Sequence, residues 1–170
     1  MLLSGWEGKL AGLFLDTHIL LRHLLQDHPN QSPRSTKYLA RIERGEIKVR
    51  ITDTIIFEVV FTLQRQYKQP KAAIRDHLLP LIELPGVTLP GKDRFHKAFD
   101  LYVDMNISFA DAYHAVMMKQ LGLEKIVFLI RNSIVSQELS EWNQVTHRRL
   151  AYEHKICQKG RRCLHIFNWK

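Results

Sequence analysis

Apolar residues recur along the chain with two periods. Leu13-Phe14-Leu15 is a short apolar run after Gly12 and predicts a buried strand. Ile47, Val49 and Ile51 alternate with Lys48, Arg50 and Thr52, the period of a half-buried strand. Val87-Thr88-Leu89, behind the turn Leu84-Pro85-Gly86, and Ile126-Val127-Phe128 predict two more strands. Between them the spacing is helical. One short helix is predicted from Thr17 to Leu25. A second starts at Ser32-Pro33, an N-cap followed by proline at the first helical position, and runs to Arg44, ended by Gly45. Others run from Ile55 to Tyr67 behind a cap at Asp53 or Thr54, from Lys71 to Ile82, from Lys92 to Asp104 with an end near Asn106, and from Ser108 to Gln120, stopped by Gly122. Strands alternating with helices predict an α/β fold: an α/β/α sandwich around a central parallel sheet of four to five short strands. In such sheets ligands bind at the carboxyl ends of the strands.

Three acids stand out against this pattern. Asp16 falls at the carboxyl end of the first predicted strand, where an unpaired buried carboxylate is costly; the competing reading is a side-chain cap on the next helix. Glu58 lies within Ile55-Ile56-Phe57-Glu58-Val59-Val60-Phe61-Thr62-Leu63, apolar nearly all round, so it is expected to be buried and in need of a partner. Asp111 sits in Ser108-Phe109-Ala110-Asp111, which has the form of a capping box with Asp in the answering position. All three stand at helix starts that a doubly wound sheet brings to one edge. Carboxylates converging on one point repel, so a cluster implies a divalent cation, and oxygen-only ligands suit Mg²⁺ or Mn²⁺. Such an ion polarises a phosphoryl oxygen and lowers the pKa of a bound water.

Charge adds to this picture and then complicates it. The 170 residues carry Lys+Arg 25 against Asp+Glu 17, a net +8, which points towards a polyanionic partner such as nucleic acid. The excess is uneven. Residues 1–128 hold 17 basic and 14 acidic side chains, a net +3; residues 129–170 hold 8 and 3, a net +5. Both cysteines, Cys157 and Cys163, also lie in that last quarter, flanked by His154 and His165 in a spacing unusual for zinc. No run approaches the roughly 18 apolar residues of a membrane span, and the start lacks the pattern of a secretion signal. The cytoplasm is the expected location. A phosphoacceptor signalling domain, also α/β with acids at strand ends, would want an acidic pair beside the first strand and a lysine on the last, and finds neither.

Phe14-Leu15-Asp16-Thr17 with Leu20-Leu21-Arg22, Phe57-Glu58-Val59-Val60-Phe61, and Phe109-Ala110-Asp111-Ala112-Tyr113-His114-Ala115 together resemble PIN domains, in particular the VapC-type toxins of toxin–antitoxin pairs. The resemblance covers residues 11–128. It implies a metal-dependent endoribonuclease that dimerises, acts on RNA and is inhibited by a small antitoxin protein. Asp16, Glu58 and Asp111 match the family's metal-binding acids. A non-catalytic relative that binds nucleic acid or antitoxin is the alternative.

The departures are informative. His18 stands where the family often has Asn, and Ser108 where it often has an acid. A strand ending in Asp is expected near residue 129, but the chain reads Phe128-Leu129-Ile130-Arg131-Asn132. A shifted reading frame would produce this. Codons permitted for Phe128 to Gln144, regrouped from the third base of the first, spell Ser-Asp-Lys-Lys-Phe-Asp-Arg-Ile-Pro, the ending the family resemblance implies. The chain thus divides into an N-terminal extension over residues 1–10, a PIN-like nuclease domain over 11–128, and a basic tail over 129–170 that does not match the family. Whether this form is active depends on that lost acid; the alternative to a shifted frame is a natural divergent tail that binds nucleic acid.

Overall fold

The computed structural model describes residues 12–130 and 133–138. The N-terminal extension, the Cys157–Cys163 pair and all of the basic tail beyond residue 138 lie outside the described residues. The chain alternates strands and helices: β1 (Leu13–Phe14), α1 (Thr17–Leu25), α2 (Gln31–Glu43), β2 (Val49–Arg50), α3 (Asp53–Arg65), α4 (Lys71–Ile82), β3 (Val87–Thr88), α5 (Asp93–Asp104), α6 (Phe109–Leu121), β4 (Lys125–Ile130) and β5 (Ser133–Glu138). Strands β1, β2 and β3 form a parallel sheet in that order, with Leu13 opposite Val49 and Val49 opposite Val87. The mixed α/β architecture is that of an α/β/α fold, as the alternation predicts.

The sheet itself departs from expectation. It has three strands among the described residues, not four to five. The strand predicted at Ile126–Phe128 forms, but β4 pairs antiparallel with β5 in a separate two-stranded ribbon, Lys125 opposite Glu138. With no described strand on its outer side, β1 is an edge. Only Leu15 of the predicted buried run is buried; Leu13 and Phe14 are 52% and 62% exposed.

Local chemistry explains most element ends. Asp16 caps α1, its carboxylate accepting from the His18 N–H at 2.8 Å. Ser32 is not the cap of α2: it lies buried inside the first turn. His28 takes that duty, its Nδ1 accepting from the N–H groups of Asn30 and Gln31 at 3.3 and 3.2 Å. Thr52 occupies the cap position of α3 in extended backbone, one residue earlier than predicted, and Asp53 becomes the first helical residue. Gly122 ends α6 in the left-handed conformation that suits glycine, φ +65°. Gly86 serves a different need: a Cβ there would strike the carbonyl oxygens of Ile42 and Ile47, so the chain entering β3 passes hard against the end of α2 and the approach to β2.

The core runs from Leu15 in β1's wake to Met118 in α6. Its densest part is aromatic. Phe109 sits with its ring centroid 4.7 Å from Phe99, 5.1 Å from Phe57 and 5.6 Å from Tyr102. Tilted and edge-to-face rings at these separations contribute beyond area burial. Their consequence for function is positional: Phe109, the first residue of α6, is pinned beside α3 one residue before Glu58.

Candidate active site

Asp16 follows β1 directly, Glu58 lies in the second turn of α3 behind β2, and Asp111 in the first turn of α6. The Phe57–Phe109 contact joins the last two helices at this level, and Thr17 joins the first two. Thr17 is buried, and its Oγ1 donates to Glu58 Oε2 at 2.6 Å. The acid of α3 is thereby tied to the residue immediately after Asp16.

Two expectations about burial are corrected. Asp16 is not buried; its side chain is 71% exposed, because β1 ends at an open edge. The desolvation cost expected for it is therefore small. Its carboxyl is held below the ordinary range by the His18 backbone N–H first and the His18 ring second, the ring Nδ1 lying 3.0 Å from Oδ1. Glu58 is exposed as well. Ile55, Ile56, Val59, Val60 and Leu63 bury one side of α3 completely or nearly so, and helical spacing places Glu58 off that stripe. It needs no burial to have a partner, since Thr17 supplies one.

Asp111 behaves as its sequence pattern predicts. Ser108 Oγ accepts from the Asp111 N–H at 3.1 Å and donates to Asp111 Oδ2 at 2.6 Å. Lys71, at the start of α4, approaches from the other side. Its ammonium donates to the Ile107 carbonyl at 2.5 Å and lies 4.8 Å over the Tyr102 ring. Burial holds it below the usual lysine range while the Asp111 carboxylate pulls the other way. Thr17 and Lys71 escape a reading of the sequence for charged clusters. Thr17 had a signal, its place beside Asp16 at a helix start. Lys71 had none, because its contact with Ile107 spans 36 positions.

Between α1 and α3 a polar cavity of about 230 Å³ opens, with His18, Arg22, Glu58 and Tyr67 on its walls. Arg22 Nη1 donates to both oxygens of Asp27 at 2.8 Å, and Tyr67 donates to Asp27 at 3.2 Å. A second polar cluster, Asp53 with Arg94 and Tyr113, lies deeper. Arg94 Nη2 donates to both Asp53 oxygens at 3.1 and 3.0 Å, and the Tyr113 hydroxyl donates to Asp53. This cluster ties α5 and α6 to the start of α3.

Carboxylate oxygens are the right donors for a hard divalent cation. In donor type the three acids fit one. In placement, no group of three or more His, Cys, Asp or Glu side chains is gathered closely enough among the described residues to hold a metal ion. Asp16, Glu58 and Asp111 are each engaged instead by His18, Thr17 and Ser108. No helix among the described residues is long and apolar enough to cross a membrane.

Comparison with known proteins adds one family. No curated protein matches the chain. The PIN domain family matches residues 13–129, more than half of the chain, and the match begins at β1 and stops inside β4. A parallel sheet interleaved with helices, an acid directly behind its first strand, and a match that spans those elements lead to one statement: the chain belongs to the PIN domain family.

Proposed function

We propose that this protein is a metal-dependent endoribonuclease and the toxin component of a type II toxin–antitoxin pair, with Asp16, Glu58 and Asp111 as its catalytic and metal-binding residues. PIN domains are generally nucleases and generally use divalent metal ions. The observation that carries the finer reading is the Thr17–Glu58 hydrogen bond beside the Asp16 cap, which holds two of the three acids on neighbouring helix starts at an open sheet edge. Mg²⁺ or Mn²⁺ is the ion proposed for Asp16, Glu58 and Asp111; such an ion polarises a phosphoryl oxygen and eases deprotonation of water. The chain's own residues have two tasks. Thr17 orients Glu58, and Ser108 orients Asp111. The proposed substrate is RNA, the proposed partners are a small antitoxin and a second copy of the chain, and the proposed location is the cytoplasm.

One observation favours the alternative, a PIN-like protein that binds nucleic acid or antitoxin without cutting. Asp111 is already held by Ser108 and lies near the Lys71 ammonium. The experiment separating the two is cleavage of labelled RNA by the purified chain in Mg²⁺ or Mn²⁺, against EDTA. Cleavage that is lost in EDTA and falls at least about a hundredfold in Asp16→Asn or Asp111→Asn supports the enzyme. Cleavage unchanged by those substitutions contradicts the assignment, and binding without cleavage selects the alternative.

A further inference from the structure

A groove of about 430 Å³ runs between α1 and α2 and plays no part in the acid edge described above. Its walls come from two helical pairs at i, i+4 spacing: His18 and Arg22 on α1, Arg34 and Tyr38 on α2. Residues so spaced stand one above the other on a helix face, so the groove has a cationic residue on each bank. No described residue lining it is acidic. Arg22 is already bound to Asp27. Arg34 is different: it is exposed and has no hydrogen-bond or ion-pair partner among the described residues. Tyr38 is half-buried against the core, which fixes its ring in place. At one end the groove reaches His18, whose ring is hydrogen-bonded to Asp16.

An unpaired guanidinium, a fixed aromatic ring and an acid-free wall are the parts of a single-strand binding track, where cations follow the phosphates and rings stack on bases. We propose that the α1–α2 groove is the track along which single-stranded RNA reaches Asp16, with Arg34 holding a phosphate and Tyr38 presenting a stacking face. The proposal rests on the reading of the acid edge as a ribonuclease site. Arg34 and Tyr38 are positioning residues in it; neither touches the scissile bond.

The test separates binding from cutting. The full chain is titrated into a labelled single-stranded RNA of about 12 nucleotides in EDTA, at several salt concentrations. Arg34→Ala is expected to weaken binding about tenfold and to flatten the log–log salt slope by about 0.7, the signature of one lost phosphate contact on a single strand. Tyr38→Phe is expected to keep affinity, and Tyr38→Ala to lose about fivefold or more. Thermal melting of Arg34→Ala should match the parent, since Arg34 supports no described contact. Binding and slope unchanged in Arg34→Ala overturn the proposal, as does a parent chain with no affinity for RNA. So does an Arg34→Ala variant that keeps RNA but loses an acidic peptide ligand. If the parent binds RNA through Arg34 yet never cuts it with Mg²⁺ or Mn²⁺ present, the groove stands and the nuclease reading falls.

Discussion

The three-stranded sheet with its helices and the β4–β5 ribbon differ in kind: the first is parallel with helical crossovers, the second a separate antiparallel pair. In the first region, the apolar stripes of the helices point inwards to one core, and among the described residues the buried hydrophobic side chains lie between Leu15 and Met118. In the second, Ile126 packs against that core, while Val127 is 65% exposed. Among the described residues the exposed large hydrophobics are Leu13 and Phe14 in β1, Tyr67 after α3, Leu121 and Leu123 at the end of α6, and Val127 in β4. Agreement between local and global preference marks a sequence shaped for its fold. The family match runs through the consistent region and ends at residue 129, where the net charge of the sequence also changes character.

The comparison can be broken most forcefully from the core side. Phe109 is fully buried among Phe57, Phe99 and Tyr102. Phe109→Ala is expected to cost about 3–5 kcal/mol in urea unfolding; a loss under about 1 kcal/mol would mean that α6 is not part of the consistent unit.

Alkali probes the same region without a mutation. Burial pushes the Tyr102 hydroxyl up to about 12, and burial, then the hydrogen bond to Asp53, pushes Tyr113 up to about 12. Both folded values lie above the unfolded one of 10.0. Their contribution to stability is therefore full below pH 10 and is lost as pH rises through about 12. A pH titration of tyrosinate absorbance should show two tyrosines ionising late and together with loss of the fold. Titration of all five near pH 10, with the fold intact, would contradict their burial.

A smaller effect is expected at the acid edge. Ser108→Ala removes the α6 cap and frees Asp111 from its hydroxyl, at a cost of about 1 kcal/mol; Ser108→Asp should recover most of it. The smallest belongs to the ribbon. Val127→Thr should shift stability by no more than about 0.5 kcal/mol, and a larger loss would show that β4 supports the core after all.

What the sequence revealed follows the range of the interactions. Thr17–Leu25 and Lys71–Ile82 have the predicted limits, because caps and apolar stripes are written in neighbouring residues. The choice of Ser32 as a cap failed because a histidine four positions earlier accepts from the Asn30 and Gln31 N–H groups, and the helix begins at Gln31, ahead of Ser32. The exposure of Leu13 and Phe14 was not legible, since a strand's neighbours depend on the order of the whole sheet. For the site, the three acids and the Ser108–Asp111 box were visible as local motifs. Thr17 holding Glu58, Lys71 beside Asp111, and the Asp53–Arg94–Tyr113 lock join positions about 40 or more residues apart, or 36 for the Lys71–Ile107 contact, and no local pattern announces them.

The central proposal is that the PIN domain over residues 13–129 is a nuclease and that a shifted reading frame replaces its ending. The nucleotide sequence across residues 125–145 tests this most directly. The account predicts codons from Phe128 onwards that, regrouped from the third base of the first, also spell Ser-Asp-Lys-Lys-Phe-Asp-Arg-Ile-Pro and restore the missing acid. Codons that place a stop or unrelated residues in that alternative frame would contradict it.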